Sequence, residues 1–184
     1  MVGGNITPKF VFFTKGVGHH KDELHSFESA LRDAGIEKCN LVHVSSILPP
    51  GCEVIAKNKG LKKLSPGCIT FCVMSKITSN ENRRMIAAAV GCAVPKGNEN
   101  YGYLSEHHAF GQTTKKAGDY AEDLAASMLA STLGVEFDID SSWDEKEELF
   151  KISGKFITTK SVSQSAYVKE KSFTTVIAAA VFTF

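Results

Sequence analysis

The chain has 184 residues, 43% hydrophobic and 22% charged, which is the composition of an ordinary globular domain. Its net charge of +1 provides no excess of basic groups for a polyanion, so we expect no nucleic-acid partner. Residues 1–8 lack the basic start and apolar core of a signal peptide, and the longest apolar run, Val176 to Phe182, is too short to cross a bilayer, so we expect no membrane association.

Five cysteines are an odd number, and their spacing predicts neither a metal site nor a disulfide. Cys68 and Cys72 are four residues apart, which is not the usual zinc or redox spacing, and positions four apart on a strand share one face. His19 and His20 are adjacent, point apart on a strand and lack a third ligand nearby in the sequence. We therefore expect no metal, no disulfide and a reducing cytoplasm.

The first forty residues predict a strand, a loop and a helix. Phe10 to Thr14 is aromatic and β-branched, as in a buried strand, and the Gly- and His-rich run from Lys15 to His25 is typical of a loop. Ser26 can cap a helix that Gly35 ends in a left-handed turn. The apolar stripe of that helix has helical spacing and consists of Phe27, Ala30, Leu31 and Ala34.

A strand from Asn40 to Ser45 follows, and it ends where the chain approaches the turn Pro49-Pro50-Gly51. Ser45 and Ser46 therefore stand where a strand stops and the backbone turns. By itself, such a serine pair is usually polar punctuation between a strand and a loop.

The rest of the chain alternates surface segments, strands and helices. We expect a lysine-rich surface segment over 51–66, strands over 68–75 and 101–106, and a helix that Thr113 or Thr114 caps and that ends at Leu133. A capping box at Ser142 predicts a second helix through Phe150. Residues 86–94 fit a helix or a tightly packed strand, and 156–159, 163–168 and 173–184 are predicted strands.

Glu106 lies at the end of the predicted strand 101–106, on the face that also carries Leu104. Without further information, two interpretations of Glu106 are open. It is either an exposed acid at a strand end or a carboxylate in an apolar setting, where desolvation raises its pKa.

Several segments together resemble the pyruvoyl-dependent arginine decarboxylases in order and spacing over nearly the whole chain. The first three are Phe27-Glu-Ser-Ala-Leu-Arg-Asp-Ala-Gly-Ile36, Asn40-Leu-Val-His-Val-Ser-Ser-Ile-Leu-Pro-Pro50 and Ala93-Val-Pro-Lys96. The others are Tyr101-Gly-Tyr-Leu-Ser-Glu106 and Thr175-Val-Ile-Ala-Ala-Ala-Val-Phe182. As a set they are specific, and they favour a strand over 86–94.

The resemblance implies an α+β fold, a four-layer αββα sandwich forming a single domain over residues 1–184. It further implies self-cleavage between Ser45 and Ser46 into a β chain, 1–45, and an α chain, 46–184. In that reaction the Ser46 hydroxyl attacks the Ser45 carbonyl, and β-elimination and hydrolysis then convert Ser46 into a pyruvoyl group. The family's assembly is a homotrimer of αβ protomers with active sites at subunit interfaces.

The resemblance also implies the reaction, in which L-arginine forms a Schiff base with the pyruvoyl group and yields agmatine and CO₂. Asn40 would assist cleavage, and Glu106, protonated through a raised pKa, would return a proton to the α-carbon. Ser45 would remain beside the site as a chain terminus. Leu31 and Ile47 would line the apolar part of the substrate pocket.

Glu28 departs from the family pattern, which has an aspartate for the substrate guanidinium at this position. A glutamate still pairs with a guanidinium, but its extra methylene changes the reach of the charge. From the helix alone, Glu28 is a first-turn acid that the helix dipole favours. Two alternatives therefore stay open: a pyruvoyl decarboxylase of another amino acid, and a non-catalytic oligomeric ligand-binding domain that does not self-cleave.

Overall fold

The computed structural model describes residues 6–95, 100–134 and 157–184, which form nine strands and three helices in these ranges. The strands are β1 (Phe10–His20), β2 (Asn40–His43), β3 (Ile47–Leu48), β4 (Glu53–Val54), β5 (Ile69–Ser79), β6 (Met85–Pro95), β7 (Gly102–Phe110), β8 (Ile157–Tyr167) and β9 (Phe173–Thr183). The helices are α1 (Glu23–Ala34), α2 (Lys57–Leu61) and α3 (Thr114–Leu133).

The strands form two sheets that pack face to face. Sheet A has the order β2-β5-β9-β1-β4, and sheet B has the order β3-β7-β6-β8. Helices α1 and α2 pack on the outer face of sheet A, and α3 packs on the outer face of sheet B. The α+β class and the αββα sandwich predicted from the sequence are thus confirmed.

Strands β6 and β9 lie inside their sheets and are buried almost throughout, because each has one face toward the other sheet and one toward a helix. In β9, Ala178 and Ala180 belong to the core between the sheets, while Ile177 and Ala179 pack beneath α1. Small side chains on both faces let four layers stack closely, which explains why the alanine-rich run 86–94 is a strand.

The predicted loop from Lys15 to His25 is wrong over its first six residues, because β1 continues to His20 in an unbroken antiparallel ladder with β9. Gly16 and Gly18 make room for α1: an added Cβ would lie 2.1 Å from the Ala30 carbonyl oxygen at the first and 2.0 Å from the Ser26 oxygen at the second. These glycines therefore serve close packing of helix on strand rather than a loop.

Helix α1 begins three residues before the predicted cap. Asp22 is the N-cap, and its Oδ1 accepts a hydrogen bond from the His25 N–H at 3.0 Å. Ser26 is instead buried inside the helix, where its hydroxyl contacts the Thr175 hydroxyl at 2.6 Å. The predicted left-handed end at Gly35 is confirmed with φ of 82°.

Helix α3 begins and ends as predicted, with Thr113 as the N-cap and Gly134 in a left-handed turn at φ of 69°. The surface segment 51–66 contains the short elements β4 and α2, and the two strands predicted over 156–168 are the single strand β8. The helix predicted from Ser142 to Phe150 lies outside the described residues. Among the helices of the described ranges, none combines the length and apolarity needed to cross a membrane.

Candidate active site

Ser45 and Ser46 form the connection by which the chain leaves one sheet and enters the other. β2 ends at His43 on the edge of sheet A, and β3 begins at Ile47 on the edge of sheet B. Ser45 is exposed and Ser46 is half-buried. The serine pair is therefore a short bridge between two rigid sheets, with both of its ends held by strand pairing.

Backbone hydrogen bonds hold both serine carbonyls. The Ile47 N–H donates to the Ser45 carbonyl oxygen at 3.0 Å, which closes a three-residue turn centred on Ser46. The Leu104 N–H of β7 donates to the Ser46 carbonyl oxygen at 2.7 Å. The peptide bond between the serines thus has a donor on its own carbonyl, and the next carbonyl is anchored to sheet B.

The pairing of β3 with β7 brings Glu106 toward the serine pair. Ile47 pairs with Tyr103 in antiparallel register, and the Leu104 contact to Ser46 continues that register. Glu106 is two residues further along β7 and shares a face with Leu104, which lies in the core between the sheets. The shared face predicted from the sequence is what the strand shows.

Glu106 also contacts sheet A at the point where β2 leaves it. The Val44 N–H donates to the Cys72 carbonyl of β5 at 3.0 Å, and beyond Val44 the chain turns away. The backbone N–H of Met74, two residues further along β5, faces the same edge as the Cys72 carbonyl. It donates a hydrogen bond to Glu106 Oε1 at 3.1 Å. In the single chain Glu106 remains exposed, so the chain alone does not supply the apolar enclosure that we expected around it.

Asn40 stands at the start of β2 and uses its amide on the local backbone. Its Nδ2 donates to the Gly67 carbonyl oxygen at 2.8 Å, and its backbone N–H donates to the Cys68 carbonyl oxygen at 2.8 Å. These bonds fix the first residue of the strand that leads to Ser45.

An apolar cavity of about 300 Å³ opens beside the serine pair. Ile47, which is 42% exposed, lines it together with Ser45. Its other described lining residues are Ile6, Pro8, Val44, Pro49, Phe71, Phe182 and Phe184. Ile47 thus lines an apolar cavity, and the role toward a substrate that the resemblance implies for it stays a prediction.

Glu28 and Leu31 lie on α1, on the opposite side of sheet A from the core between the sheets. Leu31 packs against the core beneath α1, and the Glu28 carboxylate forms an ion pair with Arg32 one turn later. In the described residues, neither the ion pair of Glu28 nor the core cluster that Leu31 joins includes Ser45 or Ser46. Glu28 and Leu31 thus lie on another layer than the serine pair, and the substrate-binding role that the resemblance implies for them stays a prediction.

Three exposed side chains at the start of α1, His20, Asp22 and His25, have ligand atoms within 4.8 Å of one another. The expectation that no third ligand lies near His20 is therefore wrong, because Asp22 and His25 follow it by two and five residues and the turn capped by Asp22 brings them together. The Asp22 N–H donates to His20 Nδ1 at 3.0 Å, so local bonds of the helix start account for this cluster.

Sequence reasoning missed the three backbone donors of the site, which are the N–H groups of Ile47, Met74 and Leu104. A backbone N–H belongs to every residue except proline, so no residue type marks it. The one indication in the sequence is where a predicted strand ends, because the neighbouring strand then has backbone N–H groups without a strand partner.

The fold is a sandwich whose two sheets are joined by a hydrogen-bonded serine pair, with a carboxylate at the same edge, and the comparisons place this chain in the class of pyruvoyl-dependent decarboxylases. The chain matches the family model for pyruvoyl-dependent arginine decarboxylase over residues 10–184.

Relatives agree with that match over nearly their whole length. A "Probable pyruvoyl-dependent arginine decarboxylase" of Chloroherpeton thalassium is 58% identical over 96% of this chain and 97% of its own. A "Pyruvoyl-dependent arginine decarboxylase" of Methanococcoides burtonii is 55% identical over 96% of this chain and 99% of its own. The chain belongs to the pyruvoyl-dependent arginine decarboxylase family, and membership implies a pyruvoyl prosthetic group.

Proposed function

We propose that this protein cleaves itself between Ser45 and Ser46 and then decarboxylates L-arginine to agmatine and CO₂. The observation that carries the proposal is the serine bridge, where the Ser45 carbonyl accepts the Ile47 N–H at 3.0 Å and the Ser46 carbonyl accepts the Leu104 N–H at 2.7 Å. In this proposal residues 1–184 are a single decarboxylase domain that becomes a β chain, 1–45, and an α chain, 46–184.

Self-processing begins when the Ser46 hydroxyl attacks the Ser45 carbonyl carbon and its proton moves to the departing amide nitrogen. The C–N bond breaks, and an ester joins Ser45 to the Ser46 oxygen. Loss of the Ser46 Cα proton and cleavage of its Cβ–O bond release the Ser45 carboxylate and leave dehydroalanine. Water then displaces ammonia, which gives the pyruvoyl group.

The Ile47 N–H is our candidate for the donor that stabilises the oxyanion formed on the Ser45 oxygen. It already donates to that oxygen in the uncleaved chain, so no donor has to move into place. The Asn40 amide donates a hydrogen bond to the Gly67 carbonyl and so fixes the start of β2. We therefore assign Asn40 an indirect role in cleavage, which is to hold the strand that leads to Ser45.

In decarboxylation, the pyruvoyl group supplies the electron sink that the departing carboxylate requires. The proposed proton donor to the α-carbon is Glu106, whose Oε1 is oriented by the Met74 N–H. The Leu104 N–H would hold the Ser46 carbonyl, which becomes the amide carbonyl of the pyruvoyl group, and Ser45 and Ile47 line the adjoining cavity.

The substrate guanidinium is assigned to Glu28, with Leu31 beside it. Glu28 pairs with the Arg32 guanidinium, which supports its ability to receive one. Since Glu28 and the serine bridge lie on different layers, we propose a homotrimer in which one chain's Glu28 faces its neighbour's Ser46. Such an interface would also enclose Glu106, which the single chain leaves exposed.

We place the protein in the cytoplasm, because the buried Cys52, Cys72 and Cys92 are free thiols, as is usual in a reducing compartment.

The test is a product assay on the processed protein with arginine, ornithine and lysine, using Glu28→Gln and Glu28→Asp as paired variants. We expect agmatine and CO₂ from arginine, loss of arginine turnover in Glu28→Gln, and retained turnover in Glu28→Asp. Faster turnover of ornithine or lysine than of arginine would favour the second candidate, a decarboxylase of another cationic amino acid, which the longer side chain of Glu28 allows.

A further inference from the structure

Cys39 and Cys68 face each other at the edge of sheet A. β2 is the edge strand, and it pairs in parallel register with β5 from Asn40 opposite Ile69 onward. Cys39 and Cys68 occupy the preceding register position, where the Asn40 N–H donates to the Cys68 carbonyl. Their Sγ atoms are 3.6 Å apart, and the spacing between neighbouring strands is compatible with a disulfide.

These two thiols differ from the other three in their accessibility. Cys39 and Cys68 are half-buried, whereas Cys52, Cys72 and Cys92 are buried. A hydrogen bond with the Thr70 hydroxyl lowers the pKa of Cys68, whereas burial raises the pKa of Cys39. Of the facing pair, Cys68 is therefore the thiol more readily converted to the reactive thiolate.

Burial holds the remaining thiols in their protonated form. It raises the pKa of Cys52 to about 11 and those of Cys72 and Cys92 to about 12. These three residues therefore serve as internal controls for oxidation at the facing pair.

We propose that Cys39 and Cys68 are an oxidation site whose disulfide joins the two chains made by self-cleavage. Cys39 lies in the segment 1–45, and Cys68 lies in the segment 46–184, so the bond would cross the cut. The disulfide rests on the geometry of the two thiols, and only its role as a link between chains rests on the proposed function.

The oxidant is a small-molecule disulfide such as oxidised glutathione. The Cys68 thiolate attacks one of its sulfurs, forms a mixed disulfide and releases one glutathione thiolate. The Cys39 thiol then gives up its proton and attacks the Cys68 sulfur, which releases the second glutathione. Two protein thiols are oxidised, one glutathione disulfide is reduced to two thiols, and the protons balance the released thiolates.

The link would keep β2 attached to sheet A after cleavage. β2 begins at Asn40 and leads to Ser45, which becomes a free chain end. In the reduced protein only non-covalent contacts retain residues 1–45, whereas in the oxidised protein their loss would require prior reduction.

The experiment treats the purified wild-type protein with oxidised glutathione, blocks remaining thiols by alkylation and measures the denatured mass with and without reductant. We expect one species without reductant, with the summed mass of both chains and of the alkyl groups on the other three thiols, less two hydrogen atoms, and two chains after reduction. Proteolytic peptides should contain a Cys39–Cys68 cross-link. Cys39→Ser and Cys68→Ser should each abolish it, while Cys52→Ser should keep it.

Two outcomes would overturn the proposal: separate, alkylated chains after oxidation, or a cross-link that uses Cys52, Cys72 or Cys92 instead. An uncleaved chain that still yields the Cys39–Cys68 peptide would refute self-cleavage but uphold the disulfide. Because the decisive reading is made on wild-type protein, a variant that failed to fold would not affect it.

Discussion

At the scale of single residues, the proposed self-cleavage would depend on backbone groups held by strand pairing. The turn centred on Ser46 closes through the Ile47 N–H, and its carbonyl is tied to Leu104 in the other sheet. The Ser46 hydroxyl and the Ser45 carbonyl belong to neighbouring residues, so this pairing limits their relative motion. Pre-organisation of this kind lowers the entropic cost of an intramolecular attack.

The donor role of Ile47 can be tested by replacing its backbone N–H with an ester oxygen, using the α-hydroxy analogue of isoleucine. We expect self-cleavage to slow by about 10²-fold, as when one oxyanion donor is removed. The same substitution at Ile55, whose N–H bonds the Val11 carbonyl at 2.8 Å, is the matched control. Equal cleavage rates in the two proteins would remove Ile47 from the mechanism.

Glu106→Gln keeps a side chain of the same size but lacks the acid. Because the proposed role of Glu106 is proton donation to the α-carbon, we expect cleavage at Ser45–Ser46 to proceed and decarboxylation to fall by about 10²–10⁴-fold. Denaturing mass measurement of the chains reports cleavage, and a CO₂ assay on the same sample reports decarboxylation, so the two effects are separated. A variant that is cleaved and fully active would contradict this assignment.

How far the candidate site could be predicted from the sequence differs between its side chains and its backbone hydrogen-bond donors. Ser45, Ser46 and Glu106 were named through the resemblance to a known family, because on the residues alone the serine pair is typical of strand-end punctuation and Glu106 of an exposed strand-end acid. The Ile47 and Leu104 donors were not found, because they depend on where β3 pairs with β7 rather than on residue type. Glu28 and Leu31 were correctly predicted to lie on one helix, but the sequence could not show that this helix packs on another layer than the serine pair, because the order of the layers depends on long-range strand pairing.

At the scale of elements, α1 approaches β1 closely at Gly16 and Gly18. Predicting a loop over Lys15–His25 failed because glycine is common both in loops and at close backbone contacts. The neighbouring helix decides between the two, and its face toward β1 could not be known before the sheet order. Helix ends were more predictable, since Gly35, Thr113 and Gly134 act through local backbone geometry.

Gly16→Ala should destabilise the protein strongly, because the new methyl group would lie 2.1 Å from the Ala30 carbonyl oxygen, a backbone atom. Gly111→Ala is the control: its φ is 73° and no atom lies within 4 Å of an added Cβ, so only backbone strain of about 1–2 kcal/mol is expected. Urea denaturation measures the free energy of unfolding of both variants and of wild type. Equal losses would mean that α1 can move away from β1 at little cost.

His19 should make stability depend on pH. Burial, followed by the charge of Lys169, lowers its pKa from the ordinary value of 6.5. The unfolded chain then binds the proton more tightly than the folded chain, so this contribution to stability is full above pH 6.5 and decreases as the pH falls below it.

The urea midpoint of wild type should therefore drop more between pH 7.5 and 5.5 than that of His19→Gln, which does not titrate. A larger drop in His19→Gln than in wild type would reverse the sign and contradict the account.

At the scale of the whole molecule, the distribution of site residues over layers favours sharing between chains. We expect light scattering to give about three times the 19.9 kDa chain mass. Co-expression of Ser46→Ala and Glu28→Gln chains supplies a sharper test. Each is expected to be inactive alone, but random mixing pairs an intact Ser46 with a neighbour's Glu28 at about a quarter of sites.

Recovery of about a quarter of wild-type activity in the mixture would therefore support sites between chains. Two Glu28→Gln chains or two Ser46→Ala chains cannot form a complete site, so each variant alone is the control. A mixture as inactive as its components would place Glu28 and Ser46 of each site in the same chain.

The central claim is self-cleavage at the serine bridge, and the intact mass of the reduced, denatured protein tests it most directly. The account predicts two chains divided between Ser45 and Ser46, with the larger one carrying a pyruvoyl group at its N-terminus, and a single 184-residue chain in Ser46→Ala. A single full-length wild-type chain that persists after long incubation would contradict it.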